Sequence, residues 1–403
     1  MTASADLTFS ARRADDIRLV TGVSAAHFVS HYYILVLPPL FAFVRAEYGV
    51  SYTELGLALT VFNAVSAVLQ TPAGFLVDRF NAKLILVAGL LVGAVGLAIA
   101  ALVNSYWVLV AMFGLMGLGN TVYHPADYAL LSRHVSPARV SQAYSVHTFA
   151  GLLGGAAAPG TILLMHNLFG WRGALLGAAA LGTVVALVLL FQRESAMDHA
   201  PSKPREIDTV DTGWRLLFSA PILVSFVFFT LLAFGNYGLM NFGVVALGAL
   251  HGTPAAAANA ALSANLFMAA IGVLVGGYIA ARTSRHSLTA ALGLLCAAFT
   301  ILILGSVDLG ALLLIVVMSL TGVGFGIVLP SRDMIVRAVT PPGAFGKVFG
   351  FVTNGFNIGG ILSPLLFGAL MDHGEPRLVF WVIAVSAFAG VATLALMPRR
   401  RIA

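Results

Sequence analysis

Charge is what this chain has least of. Only 9% of its 403 residues are Asp, Glu, Lys or Arg, against about 25% in an ordinary soluble domain. So little polar surface cannot cover a water-facing body, and most of the exterior must meet lipid. Cysteine is scarcer still. Cys296 stands alone, which excludes a disulfide framework and every multi-cysteine metal or iron-sulfur site. Three motifs are also missing. There is no Gly-x-x-x-x-Gly-Lys-Ser/Thr phosphate loop, since Gly346-Lys347 runs on to Val348, and there is neither a Gly-x-Ser-x-Gly elbow nor a His-Glu-x-x-His zinc helix. An intramembrane enzyme and an ATP-driven pump are thereby disfavoured, and no prosthetic group or other cofactor is implied.

What the chain has in abundance is long apolar runs. Twelve of about 20 residues fall at about 18–44, 52–77, 84–103, 106–132, 139–165, 171–191, 218–249, 255–280, 288–305, 309–336, 343–370 and 377–397. They are continuous rather than alternating, so they predict helices and not a barrel. The cations add a direction. With the N-terminus counted as cytoplasmic, nineteen of the 22 Lys and Arg residues fall on the cytoplasmic side, leaving only Arg45, Arg172 and Arg377 on the other. That asymmetry predicts both termini in the cytoplasm. It also accounts for the net charge of +6, so no nucleic-acid partner is needed. The first run is too long for a signal-peptide core and is expected to stay as span 1.

The chain repeats itself at an offset of about 204 residues. Gly74 to Lys83 is echoed by Gly277 to His286, with Arg282 in the echo but no counterpart of Asp78. Gly117, Gly119 and His124-Pro125 are matched by Gly322, Gly324 and Leu329-Pro330, and Gly154-Gly155 with Pro159 by Gly359-Gly360 with Pro364. The repeats predict an all-α membrane protein of twelve transmembrane helices in two pseudo-symmetric six-helix bundles. The expected organisation is a cytoplasmic tail (1–17), a first bundle (18–191), a cytoplasmic linker (192–217) of mixed charge, a second bundle (218–397) and a basic tail (398–403). Parallel halves of this kind are the layout of secondary transporters that rock about a central site.

These residues also carry a resemblance. Gly74-Phe-Leu-Val-Asp78-Arg79-Phe-Asn-Ala-Lys83 resembles the loop 2–3 signature of the major facilitator superfamily, and the likeness extends over the whole chain. His27-Phe-Val-Ser-His31-Tyr-Tyr in span 1 and Gly117 to Pro125 in span 4 look like the fosmidomycin-resistance type of efflux protein. That type usually has an acidic residue where His31 stands. The resemblance implies a transporter in the bacterial cytoplasmic membrane, working by alternating access as a monomer on a small-molecule substrate and driven by protons. In that family the aspartate matching Asp78 locks the outward-facing state. Asp78, Arg79, Lys83 and the echo Arg282 are therefore the expected gating set.

Ionisable residues within a span cost about 2.5–3.5 kcal/mol each on insertion scales, so each needs a reason. His27 and His31 lie four apart, on one face of span 1, and histidine exchanges protons near neutral pH. They are candidates for proton coupling together with Asp127; a neutral pair bonded to neighbouring helices is the equal alternative. Asp127 and Arg332 match under the repeat, and at 1.5 Å per residue both are expected about 15 Å cytoplasmic of the middle of their spans. There they would pair across the mouth, or Arg332 would meet an anionic substrate. Snorkelling to the headgroups is the other reading. Tyr33, Gln70, His124 and His147 in the first half, with Asn236, Tyr237, Asn241, Asn354 and Asn357 in the second, are the remaining candidate substrate contacts, although asparagine in a span often serves as helix-to-helix glue. Pro125 and Pro330 are expected to kink spans 4 and 10. Two functions remain open: proton-coupled efflux of a small, anionic or drug-like molecule, and symport or exchange of an organic anion.

Overall fold

The computed structural model describes residues 2–136, 139–192, 214–341 and 345–396. Most of the expected linker, the basic tail and the side chain of Asp78 lie outside the described residues. Among the described residues there are thirteen α-helices and no strand. They are α1 (Thr2–Ile34), α2 (Phe41–Tyr48), α3 (Tyr52–Arg79), α4 (Ala82–Leu102), α5 (Tyr106–Asn120), α6 (Tyr123–His134), α7 (Val140–Phe191), α8 (Ala220–His251), α9 (Ala255–Ala280), α10 (His286–Ser306), α11 (Ala311–Val339), α12 (Phe345–Asp372) and α13 (Pro376–Leu396).

Thirteen helices make twelve spans because sequence punctuation and membrane crossings do not coincide. The first span, Ala14–Tyr48, is broken where Pro38 and Pro39, which lack the N–H a helix interior needs, start a 3₁₀ turn over Pro38–Leu40. The fourth is broken at Thr121–Val122 between α5 and α6. Pro125 cannot donate to the Thr121 carbonyl, and Thr121 turns its own hydroxyl back to Leu118 O at 2.7 Å. Conversely, α7 is two spans in one. Its apolar stretch Gln142–Phe191 has 50 residues, about 75 Å at 1.5 Å per residue against a hydrocarbon core of about 30 Å. Gly170, at φ 72° and ψ 171°, is the hinge between them, in a backbone region open essentially to glycine alone.

Pro330 behaves differently from its repeat partner. Both prolines are expected to kink their spans; span 4 is divided into two helices, whereas Pro330 lies within the single helix α11, Ala311–Val339.

Packing separates the chain into two compact units. The first comprises Met1–Val36, Ala64–Ala158 and Leu164–Arg205, the second Leu37–Asn63, Pro159–Leu163 and Glu206–Ala403. Glycine sets the helix spacing in each. In the first, α4 crosses α5 at Gly89 and Gly119, where a Cβ on Gly119 would stand 2.8 Å from Gly89 O. In the second, α10 crosses α11 at Gly293 and Gly324, where a Cβ on Gly324 would stand 2.7 Å from Gly293 O. These two crossings are repeat equivalents, and such close approach is how small residues bind membrane helices together. Asn265 adds a polar tie, donating from α9 to Met318 O in α11 at 2.8 Å.

Candidate functional site

Four histidines and one aspartate converge inside the first unit. Span 1 supplies His27 and His31 one turn apart on one face of α1. The break in span 4 restarts the helix at Tyr123, so α6 presents His124 and Asp127, also one turn apart. Span 5 supplies His147 from the first third of α7, and Gly151 one turn further on lets α1 come close: a Cβ there would overlap the His27 ring.

The geometry is tight. The His27 ring centroid lies 3.8 Å from that of His147, 4.7 Å from His31 and 5.1 Å from His124. Asp127 is 0% exposed and His147 1%. Asp127 Oδ2 is 3.4 Å from His27 Nδ1 and 3.3 Å from His147 Nε2, too long and too poorly aligned for the charge-assisted bond of about 2.7–2.9 Å expected there. Both Asp127 oxygens, His27 Nδ1 and both His147 ring nitrogens are buried without a hydrogen-bond partner. Buried polar atoms are rarely left so, and orphans in a group point to a role beyond packing.

Beside this cluster, between α3, α6 and α7, lies a cavity of about 320 Å³ lined by Pro125, Tyr128, Ser132 and Tyr144. The Tyr128 ring stands 5.6 Å from that of His147 and 6.4 Å from that of His124. It forms the shared wall of cavity and cluster. His124 is exposed and His31 half-buried, so this side of the cluster is open.

Against this geometry, the family model described as Major Facilitator Superfamily matches residues 23–304 and 227–402. The chain belongs to the major facilitator superfamily. It is thus an integral membrane protein of a transporter superfamily. Its relatives include the fosmidomycin resistance protein of Escherichia coli (strain K12), 23% identical over 395 residues, 95% of this chain and 93% of that one. A shorter match joins it to the multidrug resistance protein MdtH of Yersinia enterocolitica, 31% identical over 28% of each chain. Among solved structures, a mutant form of the nucleoside transporter NupG superposes with a TM-score of 0.78 at 15% identity over 96% of this chain and all of that one. A bacterial homologue of the human lysosomal transporter Spinster gives 0.76 at 15% over 94% and 96%.

The remaining candidates of this superfamily member are scattered. Asp127 is fully buried against His27. Arg332 pairs with its neighbour Asp333, at 2.8 Å from Nη2 and 2.9 Å from Nε, and its guanidinium lies over the rings of Phe229 at 4.3 Å and Phe356 at 5.0 Å. Tyr33, two residues beyond His31, faces the bundle interior, where its ring fills the space left by Gly93 and Gly182 and its hydroxyl has no hydrogen-bond partner.

Asn236 donates to Met240 Sδ at 3.1 Å, Tyr237 packs by Gly360, and Asn241 is buried. Asn357 donates to Asn354 at 3.3 Å, and Gln70 is exposed. Of the gating set, Arg79 approaches the Phe80 ring at 5.9 Å and Arg282 stacks on Tyr278 at 3.6 Å. Lys83 donates to Gln192 O, tying the start of α4 to the C-terminus of α7, where a cation is favoured.

Two polar ties are additions to the sequence reading. Asp16 accepts from Ser136 Oγ at 2.8 Å and Arg139 Nη1 at 3.1 Å. Asp372, closing α12, accepts from the backbone of Tyr52 and Thr53 at 2.6 and 2.8 Å and from Thr53 Oγ1 at 2.6 Å. It thereby caps α3, whose Ser51-Tyr-Thr-Glu54 start is a reciprocal capping box. That box was readable in the sequence; its capping by an aspartate 320 residues away was not.

Proposed function

We propose that this chain is a secondary transporter that exports a small, anionic or drug-like molecule from the bacterial cytoplasm by alternating access, driven by protons. It works as a monomer in the inner membrane with both termini cytoplasmic. The observation that carries the reading is Asp127, wholly buried, with two imidazole nitrogens within 3.4 Å of one carboxylate oxygen. A carboxylate and imidazoles in contact can pass one proton among themselves, and a membrane interior holds such a group chiefly on a proton or substrate path. His31, His27 and Asp127 are the coupling set, with His147 joining them. His124, at the open side, meets substrate.

In the second half, Arg332 stands between two phenylalanine rings as a site for an anion, with Asn236, Tyr237, Asn241, Asn354 and Asn357 as further contacts. Gln70 belongs to the same set on span 2, and Asp78, Arg79, Lys83 and Arg282 are the gating residues. The resistance proteins among the relatives support export. The ring-flanked Arg332 equally suits a second reading, exchange or symport of an organic anion.

Proteoliposome flux under an imposed pH gradient separates the two, with fosmidomycin and small carboxylates as competing probes. Export predicts proton-dependent fosmidomycin movement, lost in Asp127→Asn and His31→Ala. Carboxylate exchange that needs no pH gradient and is lost in Arg332→Gln would overturn it in favour of the anion exchanger.

A further inference from the structure

The same cluster is spaced for something other than a hydrogen bond. A tetrahedral zinc or cobalt ion with His and carboxylate ligands at about 2.0–2.1 Å sets its ligand atoms about 3.3–3.4 Å apart along each edge. His27 Nδ1 to Asp127 Oδ2 is 3.4 Å and His147 Nε2 to Asp127 Oδ2 is 3.3 Å, and all three ligand atoms lie within 4.8 Å of one another. We propose that His27, His147 and Asp127 form a binding site for a divalent transition-metal ion of the zinc and cobalt type inside the first bundle.

The donor set is right for such an ion. Two neutral imidazoles and one carboxylate are borderline nitrogen and oxygen ligands, which zinc and its first-row neighbours accept and which magnesium and calcium, needing many oxygens, do not. The donors are also uncommitted. Each comes from a different span, each is nine-tenths buried or more, and none of the three ligand atoms is used in a hydrogen bond. Bound metal would satisfy all three at once. The His31 and His124 rings, 4.7 and 5.1 Å from that of His27 between centroids, stand on the open side, where a fourth ligand would enter. The site is held by Gly151, whose missing side chain leaves His27 its place.

The inference uses the residues of the coupling proposal but rests only on the position of their donor atoms, and its test involves no gradient. Full-length protein, purified in detergent on a tag free of histidine and stripped with chelator, is titrated with Zn²⁺ by calorimetry and with Co²⁺ by visible absorption. The expected result is one saturable equivalent per chain and cobalt bands of tetrahedral intensity. His147→Gln and Asp127→Asn should each weaken binding at least about tenfold, and His373→Gln, an exposed histidine elsewhere, should not.

Melting curves report whether each variant folds. If Asp127→Asn does not, His147→Gln and His27→Gln carry the test, and X-ray absorption of the wild-type zinc complex, with nitrogen and oxygen neighbours and no sulfur, reads the ligands directly. Absence of saturable binding in the wild type, or binding unchanged in a folded His147→Gln, overturns the site. Metal binding without proton-driven flux would sink the coupling reading and leave the metal site standing. Flux without metal binding would do the reverse.

Discussion

Asp127 and Tyr33 show what a residue's neighbours add to its sequence position. Both are polar groups in a span, yet the first touches two histidines and the second leaves its hydroxyl without a hydrogen-bond partner. Leaving a hydroxyl buried and unpaired costs about 1–3 kcal/mol, so Tyr33→Phe should hold or raise the melting temperature of the purified protein, by up to the equivalent of about 1 kcal/mol. It should also leave substrate affinity unchanged. A fall in both would mark Tyr33 as a substrate contact. His27 and His31, four residues apart, were legible as one face because helical periodicity decides it. The convergence of His124, Asp127 and His147 on that face was not, because it depends on how three spans pack.

At the scale of the element, helix spacing in this protein is a matter of missing side chains. α1 and α7 meet along Gly151 and Gly154. A Cβ at Gly154 would run into the Phe28 carbonyl, which backbone cannot yield, whereas one at Gly155 finds only Leu35 Cδ1, at 3.8 Å. Alanine improves helix propensity by about 1 kcal/mol at either position, so comparing the two variants isolates the steric cost. Gly154→Ala should destabilise by about 1–3 kcal/mol relative to Gly155→Ala, read from thermal melts in detergent. Gly151→Ala should act otherwise: its new methyl meets a side-chain ring that can swing, so the fold survives while His27 leaves Asp127 and proton-driven flux falls. Equal stability for the Gly154 and Gly155 variants would mean that α1 and α7 are not held by this contact. The glycine and proline pattern was readable in advance as close packing. Which glycines face a backbone and which face open space was not, since Gly74 and Gly277, both in the repeated segment, have nothing within 4 Å.

For the molecule as a whole, the repeat and the charge bias were legible early because they are properties of the entire chain, averaged over many residues and indifferent to any one side chain. The repeat predicts equivalent crossings, and Gly89 with Gly119 and Gly293 with Gly324 are such a pair. The charge bias predicts orientation, and here the scarcity of cysteine becomes useful. Cys296→Ser removes the one native thiol, after which single cysteines can be placed at will. Ser284 and Asp308 are both exposed and flank α10, whose 21 residues span about 31 Å at 1.5 Å per residue, enough for one crossing. They must therefore lie on opposite sides of the membrane. Arg282 and Arg285 beside Ser284 predict a cytoplasmic position for it, since cations mark the cytoplasmic loops. In intact cells a membrane-impermeant maleimide should label Asp308→Cys at once and Ser284→Cys only after permeabilisation. The reverse order would invert the protein, and with it the direction in which a proton taken up at Asp127 drives substrate. Labelling of both from outside would mean that α10 does not cross, which would leave an odd number of spans and put the cations of the two halves on opposite faces.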